Sequence, residues 1–241
     1  MDIQDSVNIT SAGKNGASLE AIINGGRLRI RDSNSGIPVE LSAGLNVAVL
    51  SLGNTGFDGN ITLRNAAGHN IVTVSGRDGD IVLCDSAGKQ TIRLSGELGD
   101  LMMTGADAAE DFDIADDAAG VSAGTVMVID PHGKLRESTM AYDRRVAGIV
   151  SGAGDCHPGI TLGRSEGSGP RRPIALTGKV YCKADAAPGP IGVGDLLTTS
   201  ATPGHAMRVG EPQQALGAVI GKALQSLPAG QSLIPVLVAL Q

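Results

Sequence analysis

A few short segments of this 241-residue sequence bring together residue types that could do chemistry. Gly120-Val-Ser-Ala-Gly124 has the G-x-S-x-G spacing that, on a sharp strand-to-helix turn, presents its serine as a nucleophile, here Ser122. Its setting argues against that use, because an acidic stretch precedes it and an apolar, strand-like run follows it. A chain with 35 glycines also generates such spacing by chance. Asp155-Cys156-His157 places a thiol beside an imidazole, yet successive side chains on an extended backbone point to opposite sides, and no third group is evident to orient the pair. His69, His132 and His205 each adjoin Gly or Pro in turn-like segments, without the HExxH spacing that would hold a metal. Gly217-Ala-Val-Ile-Gly-Lys222 lacks the spacing of a phosphate loop and the Ser or Thr that follows its lysine. No catalytic, cofactor-binding or metal-ligating residue is assigned, and the chain is read as non-enzymatic. The competing enzymatic reading is a self-processing or hydrolytic domain using Ser122 or the Cys156 and His157 neighbourhood.

Composition narrows the choice further. The net charge is −6 and consecutive basic residues run no longer than pairs such as Arg171-Arg172, so no phosphate backbone is attracted by counterion release and nucleic-acid binding is not expected. With no Trp, two Phe and two Tyr, the core must be built from Val, Ile, Leu and Ala, and the aromatic platforms of sugar-binding surfaces are lacking. The amino terminus carries acids where a signal peptide carries bases, so export by that route is not expected. The late apolar run Ile234 to Leu240 includes Pro235 and is far short of the roughly 20 residues of a spanning helix, so membrane insertion is not expected either. Cys84, Cys156 and Cys182 are widely separated, with neither a disulfide framework nor a zinc spacing.

The elements that would position any site are more legible than the chemistry. Gly59-Asn-Ile-Thr-Leu-Arg-Asn-Ala-Ala-Gly68 aligns with Gly79-Asp-Ile-Val-Leu-Cys-Asp-Ser-Ala-Gly88 at an offset of twenty residues. Val72, Val74, Ser75 and Gly76 then fall on Ile92, Leu94, Ser95 and Gly96, and a third unit starts at Gly99 before stopping near Met103. A looser copy over 26–42 repeats the thirteen-residue step, Leu28 to Leu41 matching Ile81 to Leu94. Within each unit two apolar-polar alternations are separated by turn residues, which predicts two strands and two turns, with Gly59, Gly79 and Gly99 letting the chain reverse. Asn15-Gly16 and Asn24-Gly25 add hairpin-turn signals.

Four large inward side chains per unit do not offset the entropy of ordering twenty residues, so one strip would not fold alone. Either three chains wrap their apolar edges around a common axis, or one chain coils as a β-helical solenoid. The small number of units and the absence of a polar cap favour the trimer, with Ile61, Leu63, Val72, Val74, Ile81, Leu83, Ile92 and Leu94 as the buried seam. The organisation expected is a repetitive β-hairpin fibre or β-helical array over 1–105, an acidic linker over 106–120 and a β-rich barrel or sandwich over 121–241, all-β throughout. The linker carries six acids and no base but lacks the ligand spacing of a calcium loop. Residues 213–224 suit a strand or a helix, and Gly217 and Gly221 favour the strand.

Gly124-Thr-Val-Met-Val-Ile-Asp130, Tyr142-Asp-Arg-Arg-Val-Ala-Gly-Ile-Val-Ser-Gly152, Ala175-Leu-Thr-Gly-Lys-Val180 and Gly194-Asp-Leu-Leu-Thr-Thr-Ser-Ala-Thr-Pro-Gly-His-Ala-Met207 together resemble a bacterial and phage C-terminal module that follows fibre-like repeats. The repeats resemble those of phage and phage-like tail fibres. The resemblance covers nearly the whole chain and carries no catalytic motif. It implies a homotrimeric shaft or tip scaffold, made in the cytoplasm and assembled into a virion tail or extracellular particle, with other tail proteins and a cell-surface receptor as partners. A bacterial surface scaffold of the same architecture without a virion is the remaining alternative.

Overall fold

The computed structural model describes residues 7–10, 18–22, 27–31, 39–44, 47–53, 58–164 and 169–240, with side chains from residue 50 onward. The Asn15-Gly16 and Asn24-Gly25 turns lie outside the described residues. The protein is all-β and divides into two compact units between Met103 and Thr104.

The first unit contains two antiparallel meanders in which sequence neighbours are sheet neighbours. Strands β1 (Val7–Thr10), β2 (Ser18–Ile22), β3 (Arg27–Arg31), β4 (Val39–Gly44) and β5 (Val47–Leu52) form one. Strands β6 (Asn60–Arg64), β7 (Asn70–Ser75), β8 (Ile81–Cys84), β9 (Gln90–Ser95) and β10 (Asp100–Met103) form the other. The thirteen-residue step read in the sequence is a hairpin pairing in both sheets, Leu28 opposite Leu41 and Ile81 opposite Leu94.

The hairpin turns explain the rest of the repeat. In Asn65-Ala-Ala-Gly-His69, the Asn65 Oδ1 accepts the N–H groups of Ala67 at 3.1 Å and His69 at 3.0 Å. Asp85 does the same for Ala87 and Lys89 at 3.0 and 2.9 Å. The glycine fourth in each turn, Gly68 or Gly88, sits at φ 85° or 84°, a left-handed geometry that favours a residue without Cβ. The second unit reuses this device in Asp130-Pro-His-Gly-Lys134, where Asp130 Oδ1 accepts from His132 and Lys134 and Gly133 has φ 79°. At the other end of each repeat, Gly79 and Gly99 are left-handed. Gly59 is there for a different reason, since a Cβ on it would lie 2.0 Å from the Leu52 carbonyl oxygen.

The second unit is organised by one long strand. Strands β11 (Asp107–Asp113), β12 (Val126–Ile129), β13 (Leu135–Glu137), β14 (Val146–Val150) and β15 (Pro158–Leu162) precede β16 (Arg171–Asp185). They are followed by β17 (Leu196–Thr199), β18 (Ala206–Arg208), β19 (Val219–Ala223) and β20 (Gln231–Ala239). Pairing runs β16-β18-β17-β19-β20 and returns to β16 through a register from Thr177 opposite Ala239 to Asp185 opposite Gln231. This closes a five-stranded barrel, so the barrel is realised and the sandwich is not. The first half of β16 instead pairs with β11 and β14, and Gly178, at φ 104° and packed against the Ala106 carbonyl, lies within the stretch paired to both β11 and β20. Alternation along β20 sends Ile234, Val236 and Val238 inward, where they meet Val180, Cys182, Ile220 and Leu197. A second cluster, Ile114, Met127, Leu135, Val150 and Ile174, fills the other side. Residues 213–224 split between the two readings, with a single helical turn α1 (Pro212–Ala215) followed, past left-handed Gly217, by β19.

The expected acidic linker over 106–120 is corrected. Asp107–Asp113 is β11, antiparallel to β16 and parallel to β15, and Ile114 beyond it is fully buried. The second unit therefore starts at Thr104, not at residue 121. Cross-strand pairing makes this possible: Arg171 donates to the Asp111 carbonyl at 2.6 Å and pairs with Asp113 at 3.3 Å, while Lys134 and Arg136 pair with Asp116 and Asp117. The Arg171-Arg172 pair is thus engaged internally, Arg172 donating to the Ala119 carbonyl at 2.8 Å.

One acid of this strand is held differently. Asp107 is buried, its Oδ1 accepting from Ser151 Oγ at 3.0 Å and its Oδ2 without a partner. Burial raises its carboxyl above the ordinary range, against the opposing pull of the Ser151 hydrogen bond and the His157 charge. A raised folded value means that the ionised form is the disfavoured one. Its contribution to stability is complete below the unfolded carboxyl value near ~3.9 and is lost as pH rises through the folded value. Asp107→Asn is therefore expected to be more stable than the parent at pH 7 by about 1 kcal/mol, an advantage that closes as pH falls below about 4. Urea unfolding at the two pH values measures it, and an Asn variant that is less stable at pH 7 would contradict it.

Candidate functional site

What the repeats build is a surface. The register of β6 to β10 aligns Ile61, Val74, Ile81, Leu94 and Leu101 in one row across the sheet. Leu63, Val72, Leu83, Ile92 and Met103 form a second row beside it. Because side chains alternate along each strand, all ten lie on the same face. None of the ten is buried: Leu63 is 58 % exposed, Leu101 49 % and Leu94 46 %. Among the described residues, both hydrophobic core clusters belong entirely to the second unit, and the buried residues of 58–103 are Asp80 and Ser95. Sequence spacing places eight of these ten in a seam. Leu101 and Met103 escape that reading, although each stands twenty residues after a seam position, at Ile81 and Leu83.

The opposite face is more polar and is internally satisfied. Arg93 reaches across from β9 to Asp80, whose other oxygen accepts the Gly96 N–H at 3.1 Å. Burial pushes the Asp80 carboxyl up, but the Arg93, Gly96 and Ser95 hydrogen bonds outweigh it and leave it below its ordinary value. A shallow bowl of about 900 Å³ on this face is lined by Arg64, His69, Thr73, Val82, Cys84 and Gln90, among others. His69 Nδ1 lies 3.1 Å from the Ser86 carbonyl, to which Asn65 Nδ2 also donates, so that one turn is stitched to the turn twenty residues on.

No protein-family model, curated protein or solved structure matches this chain. What the surface does must accordingly be read from its own residues and from the segments that could have carried chemistry.

Those segments are scattered. Ser122 is exposed, its carbonyl accepting the Thr125 N–H at 3.3 Å, and the chain enters strand β12 after it, so the strand-to-helix elbow is not formed. Cys156 is half-buried and His157 exposed, and among the described residues no hydrogen bond joins that thiol to an imidazole. His205 contacts the Pro203 carbonyl through Nδ1 at 2.7 Å, and His132 lies exposed in the Asp130 turn. Gly217 to Lys222 runs from the helix end into β19. Cys182 is wholly enclosed in the barrel, and burial pushes its thiol up to about 12, far from a nucleophile's range. Among the described residues no three His, Cys, Asp or Glu side chains converge as a metal site.

The segments behind the family resemblance brace the second unit. Tyr142 holds a left-handed φ of 55°, and its Oη accepts the N–H groups of Gly210 and Glu211, each at 2.9 Å. Asp143 is buried and takes Arg145 Nε at 3.0 Å and Nη2 at 2.6 Å. That guanidinium holds the Asp143 carboxyl below its ordinary range in spite of burial. Asp185 ties Thr202 Oγ1 at 2.6 Å and the Ala187 N–H at 2.9 Å, which secures the Ser200 to His205 turn.

Proposed function

We propose that this protein is a homotrimeric structural component of a phage or phage-like tail fibre, in which three copies pack their repeat sheets around a common axis. The observation that carries this reading is the uncovered apolar face of ten side chains in residues 58–103, which include no buried hydrophobic one. A sheet with one apolar face has to bury it against another layer, and contiguous apolar patches of several hundred Å² mark association sites. A second copy of the same ladder supplies a layer of matching period. Burying what remains exposed of these side chains contributes on the order of 10 kcal/mol per chain, comparable with the ~4–15 kcal/mol that association costs in lost freedom.

The phage-like setting is inferred from the resemblance of both halves to fibre proteins and from the scarcity of aromatic residues, which suits a shaft or scaffold better than direct glycan recognition. In this setting the chain works from the tail of a particle, joined to other tail proteins and serving host-surface attachment indirectly. Sedimentation velocity of the full chain at micromolar concentration tests the reading. Three times the chain mass, with a frictional ratio typical of an elongated particle, is the expected result. A well-folded monomer would overturn it in favour of a single-chain array.

A further inference from the structure

The chain enters the second unit, just past the boundary after Met103, through a slot too narrow for side chains. A Cβ on Gly105 would fall 2.2 Å from the Gly159 Cα, and a Cβ on Gly178 would fall 2.6 Å from the Ala106 carbonyl oxygen and 2.8 Å from the Asp107 Cα. Backbone hydrogen bonds close the slot from both walls. The Ala106 N–H donates to the His157 carbonyl and the Lys179 N–H donates to the Ala106 carbonyl, each at 3.0 Å.

Within 104–107 the buried side chain is that of Asp107, the first residue of β11. Pro158 stands opposite it on β15 and Gly178 on β16. Ser151, just past β14, donates to its Oδ1, while Oδ2 is buried with no hydrogen-bond partner among the described residues. Few ionisable groups surround it. On the β15 side His157 is exposed, and its charge favours the carboxylate. On β16, Gly178 brings no side chain and Lys179 beyond it is exposed; β14 carries no titratable residue, and β11 itself next carries charge at Glu110. A carboxylate with a buried, unpaired oxygen costs far more than the neutral acid in the same place. That cost can be relieved without unfolding the barrel, because the end of a strand opens at a lower free energy than the domain that holds it.

We infer that Asp107 is a latch on the entry strand: neutral, it stays seated against Ser151 with the slot closed, and ionised, it lets residues 104–107 withdraw from between the 157–159 and 178–179 walls. The device needs one chain only and stands apart from the trimer proposed above. What it sets is how firmly the second unit grips the chain arriving from the repeats.

Hydrogen exchange of the full chain, read residue by residue between pH 4 and pH 8 and corrected for the pH dependence of the chemical step, tests it. Protection of the Ala106 and Lys179 amides is expected to fall as pH rises, by up to about tenfold per pH unit between the unfolded carboxyl value near ~3.9 and the folded value, and then to level off. The Ala186 amide, bonded to the Gly230 carbonyl beyond the other end of β16, is the reference and should not follow. Asp107→Asn should abolish the fall, and His157→Gln, by removing the charge that favours the carboxylate, should move its levelling-off to higher pH. A fall shared equally by Ala186, one that persists in Asp107→Asn, or no fall in the parent overturns the latch.

Discussion

Leu83→Asp is expected to leave the chain monomeric at concentrations where the parent assembles. Leu83 lies in β8, the central strand of the second meander, directly between Val72 and Ile92. At that position a carboxylate would be surrounded by apolar side chains from its own sheet and, in the proposed trimer, from the other two copies, with no cation in the row to pair it. Removing an unpaired charge from water costs roughly 3–5 kcal/mol, and three copies incur the cost together. Association should fall by more than about a thousandfold. The control is Val82→Asp, one residue away but on the opposite face, where the register places Arg93 alongside. That variant should assemble as the parent does. Equal effects from the two changes would mean that the ladder face is not the interface.

The second large effect is expected from Gly148→Ala. Gly148 sits in β14 at φ 147°, and a Cβ there would lie 2.5 Å from the Ala175 carbonyl oxygen and 2.7 Å from Ile174 Cγ2. Both neighbours belong to β16, whose pairing with β14 consists of Ile149 opposite Ala175 and Val150 opposite Ile174. Relief would require pushing the two strands apart where they enclose both core clusters. Strain at a glycine-favoured backbone of about 1–3 kcal/mol adds to an overpacking cost of similar size, so a loss of roughly 3 kcal/mol or more is expected by denaturant unfolding. Gly152→Ala separates the two causes, because Gly152 has φ 102° with nothing within 4 Å of a built Cβ. It should show the strain alone. If Gly148→Ala were no worse than Gly152→Ala, close packing of β14 on β16 would not be what requires the glycine.

Local periodicity made the repeat sheets legible. The alternation of Ile81 with Leu83 and of Ile92 with Leu94 carries the strands, and the Asx and Gly positions carry the turns, so pairing partners follow from a fixed step along the chain. The same logic located most strands of the second unit, from Val126 to Ala239. What it did not reveal was decided at long range. Strand β11 is rich in Asp, Glu and Ala, which are poor strand formers, and it is a strand because β15 and β16 flank it and because Arg171 meets its acids from sixty positions away. Closure of the barrel depends likewise on β16 meeting β20, a pairing that no local pattern specifies. In the candidate site, the identity of the apolar rows could be read from spacing, whereas their exposure could not, because it depends on what the rest of the chain leaves uncovered. Ser122 and the Cys156-His157 pair illustrate the converse: suggestive neighbours in sequence whose partners the fold does not supply.

The stitched turns have an evolutionary consequence. Each twenty-residue block contributes two strands, so the chain leaves a block travelling in the direction in which it entered. Duplicating or deleting a block in the gene would lengthen or shorten the ladder by roughly 9.5 Å while keeping the alternation of strand polarity along it. The length of the ladder can therefore change in discrete increments of one block.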